Sequence, residues 1–207
     1  MIIWHKIKKD CRSKSIRQVT TAAGDGAVAA MAACTPAANN KETTTAPVET
    51  TTEPAVTIAS ALEILENTWA LFGEDEKFFV MGGDFDNMVD GAPGKVTNSD
   101  FIAGNLLVPA DQTANITDVA SLLHAMNANT FTCAAYAVAD SQAFADAMKT
   151  AIQGNHWMCG FPEKLVIAEV GGYVVVMFGH GDAVNPFLTN LNTAYPTTNV
   201  LVEEAIG

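Results

Sequence analysis

The chain has 207 residues, 49% of them hydrophobic, and a formal net charge of −12, which fits one globular domain with appendages or two very small domains. The charge is divided along the chain: Lys6, Lys8, Lys9, Arg12, Lys14 and Arg17 supply six of the eleven basic residues, whereas from Cys34 onward five lysines and no arginine face 21 acids, a formal charge of −16. Such a body lacks the clustered cations that bind phosphate backbones, so nucleic acid is excluded as its partner.

In chain order, the basic start is followed by a short apolar run, Ala27–Ala33, that ends in Met31-Ala32-Ala33-Cys34. This order resembles the signal peptide and lipobox of bacterial lipoproteins, in an atypical form because Asp25 lies within the region that should be apolar. The resemblance implies cleavage before Cys34, lipid on its thiol and membrane attachment at the bacterial cell surface. Residues 35–54, TPAANNKETTTAPVETTTEP, have no apolar periodicity. They cannot bury enough surface to offset about 1–2 kcal/mol per residue of ordering entropy. Residues 1–33 therefore read as a signal peptide, 34–54 as a disordered tether and 55–207 as a single globular domain. No apolar run reaches the roughly 18 residues of a membrane-spanning helix.

Within 55–207, Ile58, Ala61, Leu62, Leu65, Trp69 and Phe72 recur at helical spacing, and Ser60 with Glu63 fits a capping box, which predicts a helix over 57–72. A short strand is expected at 78–81, then a glycine-rich loop to residue 99. Residues 101–108 fit either strand or helix. Val119, Leu122, Leu123 and Met126 predict a second helix capped by Thr117. A strand over 130–139 and a helix from an Asp140 cap to about 153 follow.

The most informative stretch is KLVIAEVGGYVVVMFGH, residues 164–180. Two apolar runs flank Gly171-Gly172, a two-residue loop able to supply positive φ at both positions, which predicts a β-hairpin. The second run lacks polar alternation, so both faces of the hairpin should be covered by protein. A helix capped by Asp182, with Pro186 in its first turn, and a closing strand over 198–204 complete the chain. The expected fold is α+β, with a ferredoxin-like β-α-β-β-α-β core over about 130–204 that has both helices on one sheet face. The N-terminal helical segment, 55–126, should then pack over the second face as a third layer. Lipobox, tether, N-terminal helices and this unit together resemble small uncharacterised lipoproteins of Gram-positive bacteria that carry a C-terminal domain of unknown function. That resemblance implies a surface location and brings no catalytic residue.

Candidate chemistry is sparse. Asp84, Asp86, Asn87 and Asp90 in GGDFDNMVDG are hard oxygen donors suited to Ca²⁺, although Met88 and Val89 break the EF-hand spacing. The alternative is a turn in which Asp and Asn cap their own backbone. His124, His156 and His180 with Cys133 or Cys159 supply zinc-type donors but only half a motif, His156-x-x-Cys159. Cys133 and Cys159 could pair outside the cytoplasm or stay free, and Cys133 lies in an apolar strand. Asn127 and Asn129 suit either a backbone cap or ligand recognition. Trp157 and Phe161, in the loop before the hairpin, are candidates for partner binding. No G-x-S-x-G, G-x-G-x-x-G or P-loop motif occurs. The reading drawn is a non-enzymatic, lipid-anchored extracytoplasmic domain that binds a protein, glycan or small molecule. Its alternative is a metal-dependent enzyme or metal-binding module built on the Asp84–Asp90 loop.

Overall fold

A computed structural model describes residues 57–207; the expected signal peptide, Cys34 and the tether lie outside the described residues. The N-terminal half contains α1 (Ala61–Trp69), β1 (Val80–Gly82), β2 (Val89–Asp90), β3 (Gly94–Lys95), α2 (Ser99–Gly104), α3 (Ala110–Thr113) and β4 (Ile116–His124). The C-terminal half contains β5 (Phe131–Val138), α4 (Ser141–Gln153), β6 (Lys164–Val170), β7 (Tyr173–Gly179), α5 (Gly181–Ala194) and β8 (Asn199–Ala205). The described residues are α+β: one open antiparallel sheet in the order β2-β1-β4-β5-β7-β6-β8, with β3 paired to β4 beside β1.

The local signals act largely as their chemistry dictates. Ser60 Oγ accepts from Glu63 N at 3.2 Å, which satisfies one of the free N–H groups that open α1, and Glu63 reaches back to accept from Ala59 N at 2.7 Å, just before the cap. Asp140 caps α4 by accepting from Ala143 N. Gly171 and Gly172 have φ of 55° and 88°, the positive pair that a two-residue hairpin turn needs to match strand twist. The first turn of α5 is capped differently from expectation: His180 occupies the cap position without a side-chain bond, and Glu163 Oε2 accepts from Gly181 N at 3.1 Å. Asp182 lies inside the helix, and Pro186 falls in its second turn.

Two expectations are corrected. Residues 116–124 form β4 rather than a helix. Val119–Leu123 are all buried, with Ala120 and Leu122 on one sheet face and Val119 and Leu123 on the other. A short run buried on both faces satisfies helical spacing by coincidence. The strand order is also not ferredoxin-like. In that arrangement the last strand would lie beside β5; here β4 holds that edge and β8 pairs with β6 on the far side.

The position of β8 fixes the layers. The β5-α4-β6 and β7-α5-β8 connections step across the sheet in the same direction, but β7 runs opposite to β5. Right-handed crossovers then place their helices on opposite faces. Accordingly Val184, Phe187 and Leu191 of α5 join Ile64, Leu65 and Trp69 of α1 over Cys133, Ala135, Val166, Val175 and Met177. Phe144, Met148 and Ile152 of α4 join Phe101, Ile102, Leu106 and Val108 over Tyr136, Leu165, Ile167, Val174 and Val176. Three layers are present, as the hairpin required, but residues 57–126 contribute to both outer layers and to the sheet itself.

Phe187 is fully buried, with ring centroids 5.5 Å from Phe131 and 6.1 Å from Phe72. Phe187→Ala is expected to lower unfolding free energy by about 3–5 kcal/mol in urea titration. Phe79→Ala, at a side chain 59% exposed, should stay within about 0.5 kcal/mol of the parent.

Candidate functional site

With both faces of the sheet covered, Phe78, His124, Asn127, Asn129, Thr130 and His180 meet at one strand end. There β4 stops at His124, β5 begins at Phe131 and β7 stops at Gly179, with Leu123 opposite Thr132 and Phe131 opposite Gly179. Residues 124–130 join β4 to β5 as a hydrogen-bonded turn. His124 Nδ1 accepts from the N–H groups of Met126 and Asn127 at 3.2 and 3.3 Å, which assigns the ring hydrogen to Nε2. Its ring stacks on Phe78 at 5.9 Å. Asn127 Oδ1 accepts from Asn129 N, and Thr130 Oγ donates to the Asn127 carbonyl at 2.7 Å. Asn129 Nδ2 donates to the Cys159 carbonyl at 2.6 Å and so fastens the loop before the hairpin. The structure thus gives both asparagines a positioning role, which the cap reading anticipated only in part.

Three grooves share this turn as a wall. The first, of about 170 Å³, runs between the turn and the 82–88 loop, with Phe85, Met88, Phe101, Leu123 and Met126 among its walls. The second, about 310 Å³, is bounded by Phe78, His124, Thr130, His180 and Asp182. The third, about 300 Å³, includes Asn105, Leu107, Asn129, Asn155, His156 and Trp157. Met126, Met158, Phe85 and Met88 stand largely in solvent around them. Unbranched thioethers can repack against varied surfaces. Of the two aromatic candidates for partner binding, Phe161 is exposed, whereas Trp157 is half-buried with its ring against Phe178 at 5.5 Å. All three histidines of the described residues line these grooves, a convergence that their spacing in the sequence does not reveal.

Two departures from ordinary packing fall in the third groove. Leu107 has φ of 58°, a left-handed conformation that costs a side-chain-bearing residue about 1–2 kcal/mol. It is held there because Leu106 and Val108 on either side both enter the core, while their N–H groups donate to Phe101 and Ile102. The Trp157 indole N–H is the single buried side-chain donor or acceptor without a partner among the described residues.

The acidic loop is built for structure. Asp84 is 2% exposed. Its Oδ1 accepts from Asp86 N, Asn87 N and Asn87 Nδ2, and its Oδ2 from Thr97 N, Thr97 Oγ and Asn98 N. Six donors fill every lone-pair direction of a carboxylate. Burial pushes the Asp84 carboxyl up, but the four backbone N–H groups of Thr97, Asn98, Asp86 and Asn87 outweigh it and hold it well below the usual carboxylate range. Asp86 accepts from Asn98 Nδ2, and Asp90 points into solvent from β2. The loop closes at a glycine neck: a Cβ on Gly82 would sit 2.3 Å from Gly94 N, and one on Gly94 2.4 Å from Gly83 N. Asp84, Asp86 and Asp90 are therefore not brought together around a shared ion. Among the described residues no three His, Cys, Asp or Glu side chains converge as metal ligands. Cys133 is buried and free, with its thiol pushed well up by burial, and Cys159 is exposed and free.

Among the described residues every lysine is paired. Lys77 pairs with Glu74, Lys95 with Asp118, Lys149 with Glu204 and Lys164 with Glu203, at 2.5 to 3.4 Å. Among the described residues no lysine or arginine lines any of the three grooves. Comparison with family models, curated proteins and solved structures returns no match, so the reading of this site rests on its geometry.

Asp84→Asn places an NH₂ donor against backbone donors and is expected to cost about 2–3 kcal/mol at pH 7. Because the folded carboxyl titrates below its unfolded value of about 3.9, this stability is complete above that pH and fades as pH falls toward the folded value. Urea titrations of parent and variant from pH 7 to 2.5 should show the gap between them narrowing below about pH 4.

Proposed function

We propose that this chain is a non-catalytic binding domain that presents the 124–130 end of its sheet to a ligand outside the cytoplasm. The observation that carries the reading is the meeting of three grooves at one fastened turn, rimmed by exposed methionine and phenylalanine side chains. A rigid wall beside adaptable apolar side chains suits binding. Proton transfer or nucleophilic attack would need a paired acid and base, and His124 already spends Nδ1 on the backbone. In this reading Cys34 carries the lipid and residues 35–54 hold the domain away from the bacterial membrane.

Two experiments test it. Labelled palmitate fed to expressing bacteria is expected to enter the parent chain and not Cys34→Ala, with the variant released from the membrane fraction; label in both chains, or in neither, removes the anchor. A fragment screen read by amide NMR on the full-length chain should concentrate its hits on residues 124–130 and the groove walls. Hits scattered over the remaining surface, or substrate turnover abolished by His124→Ala, would remove the binding-domain reading.

A further inference from the structure

We propose that the third groove, between the end of α2 and the 155–161 loop, binds a neutral hydroxyl-bearing ligand of the saccharide class; this rests on the binding-domain reading above. The groove measures about 300 Å³, at the small end of ligand pockets, which suits one ring rather than an extended chain.

Its wall chemistry selects the ligand. None of the lining residues is Asp, Glu, Lys or Arg. An ammonium or guanidinium for phosphate or carboxylate is missing, and so is a carboxylate for a cation. The polar side chains are instead the amides of Asn105, Asn155 and Asn129, the last already donating to the Cys159 carbonyl, and the His156 imidazole. Among the described residues the side chains of Asn105, Asn155 and His156 make no hydrogen bond, and the Trp157 N–H is buried without an acceptor. Amides each offer a donor and an acceptor, and an imidazole N–H donates. A ring carrying several hydroxyls, each likewise both, matches such a set. The Trp157 N–H is itself enclosed, so a ligand in the groove would meet the indole through its ring. The apolar portion of such a ring has Trp157 and Leu107 to lie against, and Met158, 90% exposed, is free to close over it. The acidity of the described residues, with each of their lysines paired, further disfavours anionic ligands.

The test is NMR of the ¹⁵N-labelled full-length chain, titrated with methyl glycosides of glucose, galactose, mannose and N-acetylglucosamine, and with glucuronate and glucose 6-phosphate. Indole peaks are assigned with Trp157→Phe and Trp69→Phe. At least one neutral glycoside is expected to move the Trp157 indole N–H peak saturably. The Trp69 indole, which already donates to the Gly91 carbonyl at 3.1 Å, should stay in place, as should Trp157 with both anionic sugars. Asn155→Ala, with an unchanged melting temperature, should weaken that binding about tenfold. The proposal is overturned if no neutral glycoside moves the Trp157 peak, if the anionic sugars move it equally, or if Asn155→Ala leaves the affinity intact. Fragments that still shift the 124–130 amides in that case would leave the binding-domain reading standing and remove only the saccharide.

Discussion

β4 pairs along the outer edge of β5 from Ile116 to Leu123, and that pairing determines where the later elements can go. With one side of β5 taken by β4 and the other by β7, the last strand has no central position left and adds beside β6 at the far edge. The crossover that carries it there must be right-handed, so α5 lands on the face opposite α4. Each face then holds one C-terminal helix and needs a second cover, which α1 supplies on one side and residues 96–108 on the other. The alternation along β5, β6 and β7 reflects this: both sets of inward positions are apolar because neither faces water.

A sheet covered on both faces has only its edges and strand ends available for recognition. The edge strands carry charge and pairing devices: β8 has Glu203 and Glu204 bound to Lys164 and Lys149, and β2 is two residues long. Charged and shortened edges resist further strand addition. At one strand end the chain turns tightly through Gly171 and Gly172, which leaves little to build with. The opposite end collects the 124–130 turn, the 82–94 excursion and the 155–161 loop. Loops set on a rigid frame are where binding groups are usually carried, and here the frame is unusually complete. Asp84 holds the excursion by six hydrogen bonds, and Asn127 and Asn129 fasten the turn to the neighbouring loop.

Much of the C-terminal half could be read from residues alone, because its signals are local. Gly-Gly between two apolar runs specifies a hairpin whatever surrounds it, and an Asp140 cap before a 3.6-residue stripe specifies α4. The N-terminal half depends on partners distant in sequence. Val119–Leu123 become a strand because β1 and β5 flank them, and no property of those five residues distinguishes that from a buried helix. The same non-local pairing defeated the ferredoxin-like order, since β-α-β-β-α-β is compatible with either position for the last strand. The densest acidic cluster was visible, but its meaning depended on Thr97 and Asn98, which reach Asp84 only after the chain returns through Gly94. Trp157 and Phe161 were correctly placed in a loop, while the groove beside Trp157 required Asn105 and Leu107 from a segment whose own structure was ambiguous.

The charge distribution narrows what such a site can bind. The described residues carry eighteen acids and four lysines, and the lysines are spent on edge and surface pairs that contribute about 0–1 kcal/mol each. Among the described residues the three grooves hold no basic side chain apart from imidazoles. An anionic ligand would meet repulsion with nothing to offset it, whereas a cation would find carboxylates only outside the third groove. That groove is neutral, and neutral amides shed water at far lower cost than ions do. The two residues with local irregularities, the left-handed Leu107 and Trp157 with its unpaired N–H, both line this small space. Each costs on the order of 1–3 kcal/mol. Elsewhere in the described residues no other side-chain-bearing residue adopts positive φ and no other buried side-chain polar atom lacks a partner. Sequences that otherwise agree with their fold at every level tend to break the rules where a ligand completes the structure, and in this chain both breaks share one groove.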